Sequence, residues 1–497
     1  MKSKKTMEVT KIMPPEEPGK YRQFLVAIIV NISSLVYGIM IGWASPTIPL
    51  LKSAETPVGQ TPLNDDQVSW LISIMCLGGV IVLPLCGWIS EKFGRKITGY
   101  TMGIPYVTCW LLTLFATNYW YLLIARVFAG FGGAICFFLV PMYVAETAGD
   151  SIRGQLGSLM VFAVNIGILM GYILGAVMSY QLFAISSLVL PMVFLGSFAF
   201  LPETPSYLVR KDRMNDAAKS LMWLKNGDKS AADRELLRLQ SLVKETSDVN
   251  EAVGLRDLFR DKATIKGLVI GITLLCGQQT CGISAMLSYT AMIFQIAGSS
   301  LSPNSATIVV GAIQIFGSWL STILMERAGR RPLILISCMG MLVCHFILGL
   351  FLYLQYKLYD VSSFGWIPLL ALSVYAVVYC VGMGPAPFIV AAEVFSPDVA
   401  SLANTVNMIC LFLSAFLVIK LFPLLIAILG IYGCFFSLGA CCGCTFLFTL
   451  FFVPETKGRS IESILDELNG LSGQFKEKGY VKAAVDVNEK NLQSSNV

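Results

Sequence analysis

Charge is what this chain has little of. Only 13% of its 497 residues are charged, 55% are hydrophobic, and the mean hydropathy is +0.70. A soluble chain carries about 25% charged residues, and half that fraction cannot cover a water-exposed surface of this size. The shortage excludes a soluble enzyme, a disordered chain and a nucleic-acid binder. It fits a protein whose solvent is mostly lipid. Histidine is nearly missing as well. The single one, His345, stands in an apolar run with no carboxylate near it and reads as a packing residue. The 14 cysteines all fall inside apolar stretches, which leaves no disulfide framework. Cys441, Cys442 and Cys444 have no His, Asp or Glu beside them, so small residues packing a membrane helix outweigh a metal tract. No metal or cofactor is expected. No nucleophile–base pair stands out, so no enzymatic activity is expected either.

What the chain has instead is apolar length. Stretches of about 20 residues, enough to cross a bilayer as a helix, recur near 24–45, 68–90, 97–117, 119–145, 155–179, 182–201, 266–295, 304–325, 333–355, 364–391, 402–425 and 431–453. They are numbered here as spans 1 to 12. With the N-terminus in the cytoplasm, Lys and Arg gather in the tails and the cytoplasmic loops. Only Lys52 and Lys357 land in external loops, and Arg126 and Lys420 lie within spans. Both termini are therefore expected on the cytoplasmic side, in residues 1–23 and 454–497.

The segment 202–265 differs from every other loop. It is densely charged, and Trp223, Leu224, Leu236, Leu237, Leu239 and Leu242 recur there on a roughly helical period. Amphipathic helices on the cytoplasmic surface are expected. This linker separates a first bundle, 24–201, from a second, 266–453.

The halves repeat each other. Glu91 to Lys96 after span 2 matches Glu326 to Arg331 after span 8. Pro141 to Glu146 matches Pro387 to Glu393, and Pro202-Glu203-Thr204 matches Pro454-Glu455-Thr456. The expected fold is an all-α membrane protein of twelve transmembrane helices in two pseudo-symmetric six-helix bundles. Such a pair suits alternating access around a central site.

One more absence lies inside the membrane. Asp65 and Asp66 precede span 2, Glu146 and Glu393 sit at span ends, and no Asp or Glu falls near a predicted midplane. Ion-coupled carriers normally use an intramembrane carboxylate or histidine, so uncoupled passage is expected. Uncharged hydrogen-bonding groups are available. Span 7 carries Gln278, Gln279, Ser284, Ser288 and Tyr289, with Gln278, Gly282 and Tyr289 near one face of a continuous helix. Each Gln offers two donors and an acceptor, which suits vicinal hydroxyls. For Gln278 and Gln279 a ligand role outweighs tying helices together; for Asn165 in span 5 and Gln314 in span 8 the two readings balance. Phe388 and Trp366 offer aromatic faces. Gly384, Pro385 and Pro387 should break or kink span 10 and make it a moving element. Glu91, Arg95, Glu146 and Arg153 in one half, and Glu326, Arg330, Arg331 and Glu393 in the other, are placed to meet at the membrane boundary. They are expected to latch the inner side closed.

These residues resemble the sugar porter family of the major facilitator superfamily. The matching pieces, over roughly 20 to 465, are Gly87 to Lys96, Arg126 to Gly130, Pro141 to Glu146, Arg153-Gly154, Pro202 to Pro205, Gln278-Gln279 with Gly282-Ile283, Glu326 to Arg331, and Pro454 to Arg459. Gly42 to Pro46, then Pro49, is most like the insect facilitated trehalose transporters. The resemblance implies carriage of a sugar, trehalose or a hexose such as glucose, with the span-7 glutamines on its hydroxyls and the charged clusters gating. Proton-linked members carry an Asp in span 1, where this chain has Tyr37-Gly38-Ile39-Met40. The sequence departs from the family at Val161, Ser284, Gln314, Phe388, Leu411-Phe412 and Ala400, each standing where a polar, tryptophan or arginine contact is usual. A sugar sensor that does not transport, or a carrier of a less polar solute, are the alternatives. The expected partners are a sugar and the lipid bilayer, with no nucleic acid and no obligate protein partner. The plasma membrane is the expected location.

Overall fold

The structure, a computed structural model, describes residues 19–149, 151–247 and 256–470. The tails 1–18 and 471–497 lie outside the described residues, as does the side chain of Glu326. The described residues hold helices and no strand. Ten helical stretches are long and apolar enough to cross a membrane. One of them, Pro397–Phe452, turns at Gly430 (φ 70°, ψ 163°), a backbone state open mainly to glycine, so its two arms are spans 11 and 12. Span 3, Arg95–Leu114, is not among the ten. Its first turns carry Arg95, Lys96, Thr98 and Thr101, yet it packs between spans 4 and 6 as a full crossing. Twelve crossings result, six on each side of the linker.

Polar side chains start several of these helices where the first N–H groups lack partners. Asn64 and Gln67 cap each other's backbone at the head of span 2, and Asn118, Ser179 and Ser302 cap spans 4, 6 and 8. Two spans depart from a simple rod. Span 1 runs on past its expected end, through Lys20–Gly42 and then Ala44–Leu51. Span 7, expected to be continuous, is two helices, Lys262–Thr280 and Ile283–Ala297, parted at Cys281 and Gly282 (φ 94°). That break removes the single helical face on which Gln278 and Tyr289 were placed.

The linker folds into Pro205–Arg210, Met214–Leu224 and Lys229–Ser247. Tyr207, Leu208, Val209 and Ala217 bury together, with Leu236 and Leu239 packed on them. Leu237 and Leu242 point outward instead, 66% and 48% exposed, so the apolar face is narrower than the spacing suggested. Arg22 donates to the Trp223 carbonyl and lies over its ring, tying the start of span 1 to the linker. The end of the molecule that carries these helices is called the linker face below.

Candidate functional site

Span 10 breaks where its prolines dictate. Ile367–Val378 gives way to a wide turn, Tyr379–Met383, before Ala386–Glu393 resumes. Proline has no N–H to return to the carbonyl four residues back. Pro385 therefore strands the Val381 carbonyl, and Pro387 strands that of Met383. Ser321 Oγ of span 8 donates to Val381 O at 3.4 Å. Gln278 Nε2 of span 7 donates to Met383 O at 2.8 Å and to Gly384 O at 2.7 Å. Ser337 of span 9 holds the wide turn from the other side, donating to Val378 O and accepting from Met383 N–H.

The break in span 7 is satisfied in the same manner. Cys281 O accepts from His345 Nε2 and from the Tyr375 hydroxyl, both at 3.0 Å. His345 is thus more than a packing residue. With Tyr375 it closes a carbonyl that would otherwise lie unpaired in hydrocarbon, at a cost of several kcal/mol. The two breaks meet through Gln278.

This geometry corrects the expectation for Gln278. Both of its amide hydrogens are spent on span 10, and its Oε1 accepts from Gln279 Nε2 at 3.4 Å. Gln278 is a prop between two broken helices. Gln279 keeps one hydrogen of its amide, and its Oε1 accepts from Ser284 at 2.5 Å. Gln279 and Ser284 are the polar pair with capacity left at the junction. Ser288 is buried in the second helix of span 7. Tyr289 stacks on Phe422 at 5.3 Å, and its buried hydroxyl has no hydrogen-bond partner among the described residues.

Asn165 and Gln314 tie helices. Gln314 Nε2 donates to Asn165 Oδ1 at 2.8 Å, and Asn165 Nδ2 donates to Ser318 Oγ at 2.6 Å. These bonds bridge spans 5 and 8, which belong to different halves. A cavity of about 20 Å³ beside them, lined by Tyr172, Met286, Thr290, Gln314 and Tyr375, is large enough for a water molecule and no more. Phe388 stacks on Phe137 of span 4 at 6.3 Å, while Phe412 meets Phe137 edge-on at 6.4 Å. Leu411 and Phe412 bury here with Leu83, Ala134, Leu275 and Ala391. Trp366 is elsewhere. It starts span 10 at the face opposite the linker and is 51% exposed, too far along the helix to share in the break.

Other links between the halves lie toward that opposite face. Ser45 Oγ accepts from Ala291 N–H at 3.0 Å, and Tyr172 donates to Leu287 O at 3.0 Å. Lys420 reaches Asp66 at 2.5 Å and Ser69 at 2.9 Å, with its ammonium over the Trp70 ring. Arg126, buried in span 4, donates to Met40 O at 2.7 Å and lies 5.2 Å from the Trp43 ring.

The charged clusters at the linker face pair inside each half. Arg95 donates from Nε and Nη2 to Glu146 and from Nη2 to Glu91, and Arg210 of the linker also reaches both carboxylates. Arg153 donates to Ala148 O nearby. In the second half Arg330 pairs with Glu393 at 3.0 Å, and Arg331 donates to Leu450 O. Glu203 and Glu455 accept the first backbone N–H groups of spans 3 and 9, a role that the repeated Pro-Glu-Thr did not disclose.

The structure also brings forward Asn407 of span 11, which the sequence reading passed over. It is fully buried against Gly271 of span 7, and neither amide atom has a hydrogen-bond partner among the described residues. An Asn in an apolar run, one helical turn before Leu411, was the available signal.

A sequence model of the family described as "Sugar (and other) transporter" matches residues 26–468. A protein named facilitated trehalose transporter Tret1, from Polypedilum vanderplanki, is 32% identical over 456 residues, covering 90% of this chain and 88% of that one. Its namesake from Culex quinquefasciatus is 33% identical over 468 residues, covering 92% and 88%. Among solved structures, the xylose transporter XylE from E. coli, in a partially occluded inward open conformation, matches with a TM-score of 0.73. It is 22% identical, with 89% of this chain and 100% of that one covered, a likeness of fold.

Proposed function

The chain belongs to the sugar transporter family, a multi-pass membrane family, and from that premise we propose that it carries a sugar, trehalose or a hexose such as glucose, by facilitated diffusion. The two six-span halves rock about a central site, exposing it to one side and then the other. The observation that supports this most is the junction of the two broken spans. Gln278 holds span 7 against the break of span 10, and Gln279 and Ser284 stand beside it with hydrogen-bonding capacity to spare. A sugar hydroxyl fits that capacity, and Phe388 and Phe137 offer flat apolar surfaces for a pyranose face.

Uncoupled passage follows from the charges. Arg126 is held by a carbonyl and an indole ring with no carboxylate beside it, and no Asp or Glu of the sequence lies within a span midplane. Among the described residues no carboxylate is placed within a span to carry a proton with the sugar, and the one intramembrane histidine, His345, is engaged with Cys281 O. The protein is no enzyme in this reading. The basic linker face is cytoplasmic, with both termini, and the protein resides in the plasma membrane. The paired clusters Arg95–Glu146 and Arg330–Glu393 act as gating elements by keeping the span ends of each half together as the halves move.

Counterflow of labelled trehalose and labelled glucose in proteoliposomes, with and without a pH gradient, tests the proposal. Saturable uptake of one sugar, unchanged by the gradient and with KM raised in Gln279→Ala, is the expected result. Absence of flux for both sugars from folded protein would sink it. One observation favours a second reading, a less polar solute. The centre between the halves is apolar, with Phe137, Phe388, Leu411 and Phe412 in contact. Competition by apolar glycosides that outdoes either free sugar would select that reading.

A further inference from the structure

Where span 6 ends at the linker face, an open pocket of about 380 Å³ lies between the span and the linker helices. Phe200, Leu201 and Trp223 form apolar wall, and Lys96, Arg213 and Lys219 bring positive charge to it. Transport as described above makes no use of this space.

The charges around the pocket divide into spent and unspent. Glu203 accepts from the backbone N–H groups of Arg95, Lys96 and Thr204, so its carboxylate caps span 3. Asp216 is bound twice by Arg213, at 3.0 and 2.8 Å, and that guanidinium holds its carboxyl below the usual carboxylate range. Lys96 Nζ makes one bond, to Ala199 O at 2.8 Å, which leaves two hydrogens. Lys219 is 80% exposed and forms a long ion pair, 3.7 Å, with the Asp216 oxygen that Arg213 does not bind. Two ammonium groups thus keep hydrogens for a ligand, Lys96 on span 3 and the weakly paired Lys219 on the linker.

The pocket opens beside an apolar track. Ile185, Val189 and Met192 of span 6 are exposed on one helical face, spaced by three or four residues, and Phe200, in the turn just past the helix end at Phe198, is 84% exposed. Gly196 interrupts the track one turn before Phe200, with nothing within 4 Å of where its Cβ would stand. An apolar face therefore leads along span 6 to a pocket that carries two cations.

We propose that this pocket binds an anionic glycerophospholipid, its headgroup phosphate between Lys96 and Lys219 and an acyl chain passing Gly196 along span 6. A soluble phosphate would satisfy the cations but leave the apolar walls and the Phe200 track without a role. Bound there, the lipid joins the linker to span 3 next to the Arg95 network. The proposal rests on the linker face being cytoplasmic, where anionic lipid is concentrated.

The test uses the purified full chain in a neutral detergent, with unfolding temperature followed as dioctanoyl phosphatidylserine is titrated. Saturable stabilisation at about tenfold lower concentration than with dioctanoyl phosphatidylcholine is expected, weakened about tenfold by Lys219→Glu and by Lys96→Gln and reduced by salt. Lys219 is exposed, so Lys219→Glu should fold normally, and its unliganded unfolding temperature verifies this. Glycerophosphoserine supplies the headgroup without chains. If it stabilises as well as the lipid, the site takes a soluble anion and the lipid proposal falls. Equal response to both lipids, or no loss in either lysine variant, overturns it too. Micelles have no sides and report no flux, so failure here leaves the transport reading standing, and failed uptake leaves this result standing.

Discussion

Arg95 and Arg330 occupy matching places in the two halves, and they are held very differently. Each follows a glycine that ends the preceding helix, and each starts a span whose first N–H groups are capped by a glutamate, Glu203 or Glu455. Beyond that their partners among the described residues differ. Every nitrogen of the Arg95 side chain donates, to Glu146, Glu91 and Ser90 O, and the side chain is 1% exposed. Arg330 pairs with Glu393 and is 19% exposed; among the described residues, which leave out the Glu326 side chain, its Nε and Glu393 Oε2 are buried without a hydrogen-bond partner. Arg210 from the linker completes the first cluster. The position 252 residues later, matched through Pro202 and Pro454, is Glu462. A duplicated motif therefore fixes the backbone cap, while Arg210 of the linker adds to the first cluster a partner whose matched position in the second half is acidic.

The sharpest break of this comparison is Arg95→Ala against Arg330→Ala. Removing Arg95 leaves Glu146 largely buried without its main partner and should cost about 3–5 kcal/mol. Removing Arg330 should cost about 1–2 kcal/mol. Thermal unfolding in detergent reads both, and equal losses would mean that the two clusters bear the same load.

The halves differ also in span 10 against span 4. Pro141 leaves span 4 one continuous helix, Tyr119–Thr147, while the prolines of span 10 open it. Gln278→Leu, which strips the donors from Met383 O and Gly384 O, should destabilise by about 1–3 kcal/mol and abolish uptake. Gln279→Ala should stay within about 1 kcal/mol of the parent and raise KM instead. A large KM effect with intact stability in Gln278→Leu would return that residue to the ligand site. A smaller effect is expected of Arg210→Gln, about 0.5–1 kcal/mol, diminished by salt, which makes the first cluster resemble the second. Smallest are Glu203→Gln and Glu455→Gln. Each should lose about 0.3–1 kcal/mol, and by similar amounts, because the caps are what the halves share.

Much of this architecture was legible residue by residue. The prolines at 385 and 387 announced the break in span 10 because a missing N–H is a local fact of covalent structure. The break in span 7 was not announced. Gly282 sits in a run rich in good spanning residues, and an isolated glycine is tolerated inside a helix, so by itself it marks no end. The polar residues were legible as a set, and their separate roles were not. Asn165, Gln314 and Gln278 are all buried amides in apolar helices, and sequence gives each the same two readings, ligand or tie. Their partners, Ser318, Asn165 and the carbonyls of Met383 and Gly384, decide between them. Trp366 failed for a different reason: its place at the start of span 10 set it a whole helix length from the break.

By itself the sequence determined the solvent, the number of crossings, the duplication and the broken tenth span, since each follows from composition, length or the chemistry of one residue. Which carbonyls are left open, and which side chains close them, was decided only in the tertiary structure. Gln278 meets its acceptors 105 and 106 residues away, and His345 meets Cys281 O across 64. A buried hydrogen bond has to be made wherever a helix is interrupted in lipid, but the helix that supplies it is chosen by packing, which no local pattern records.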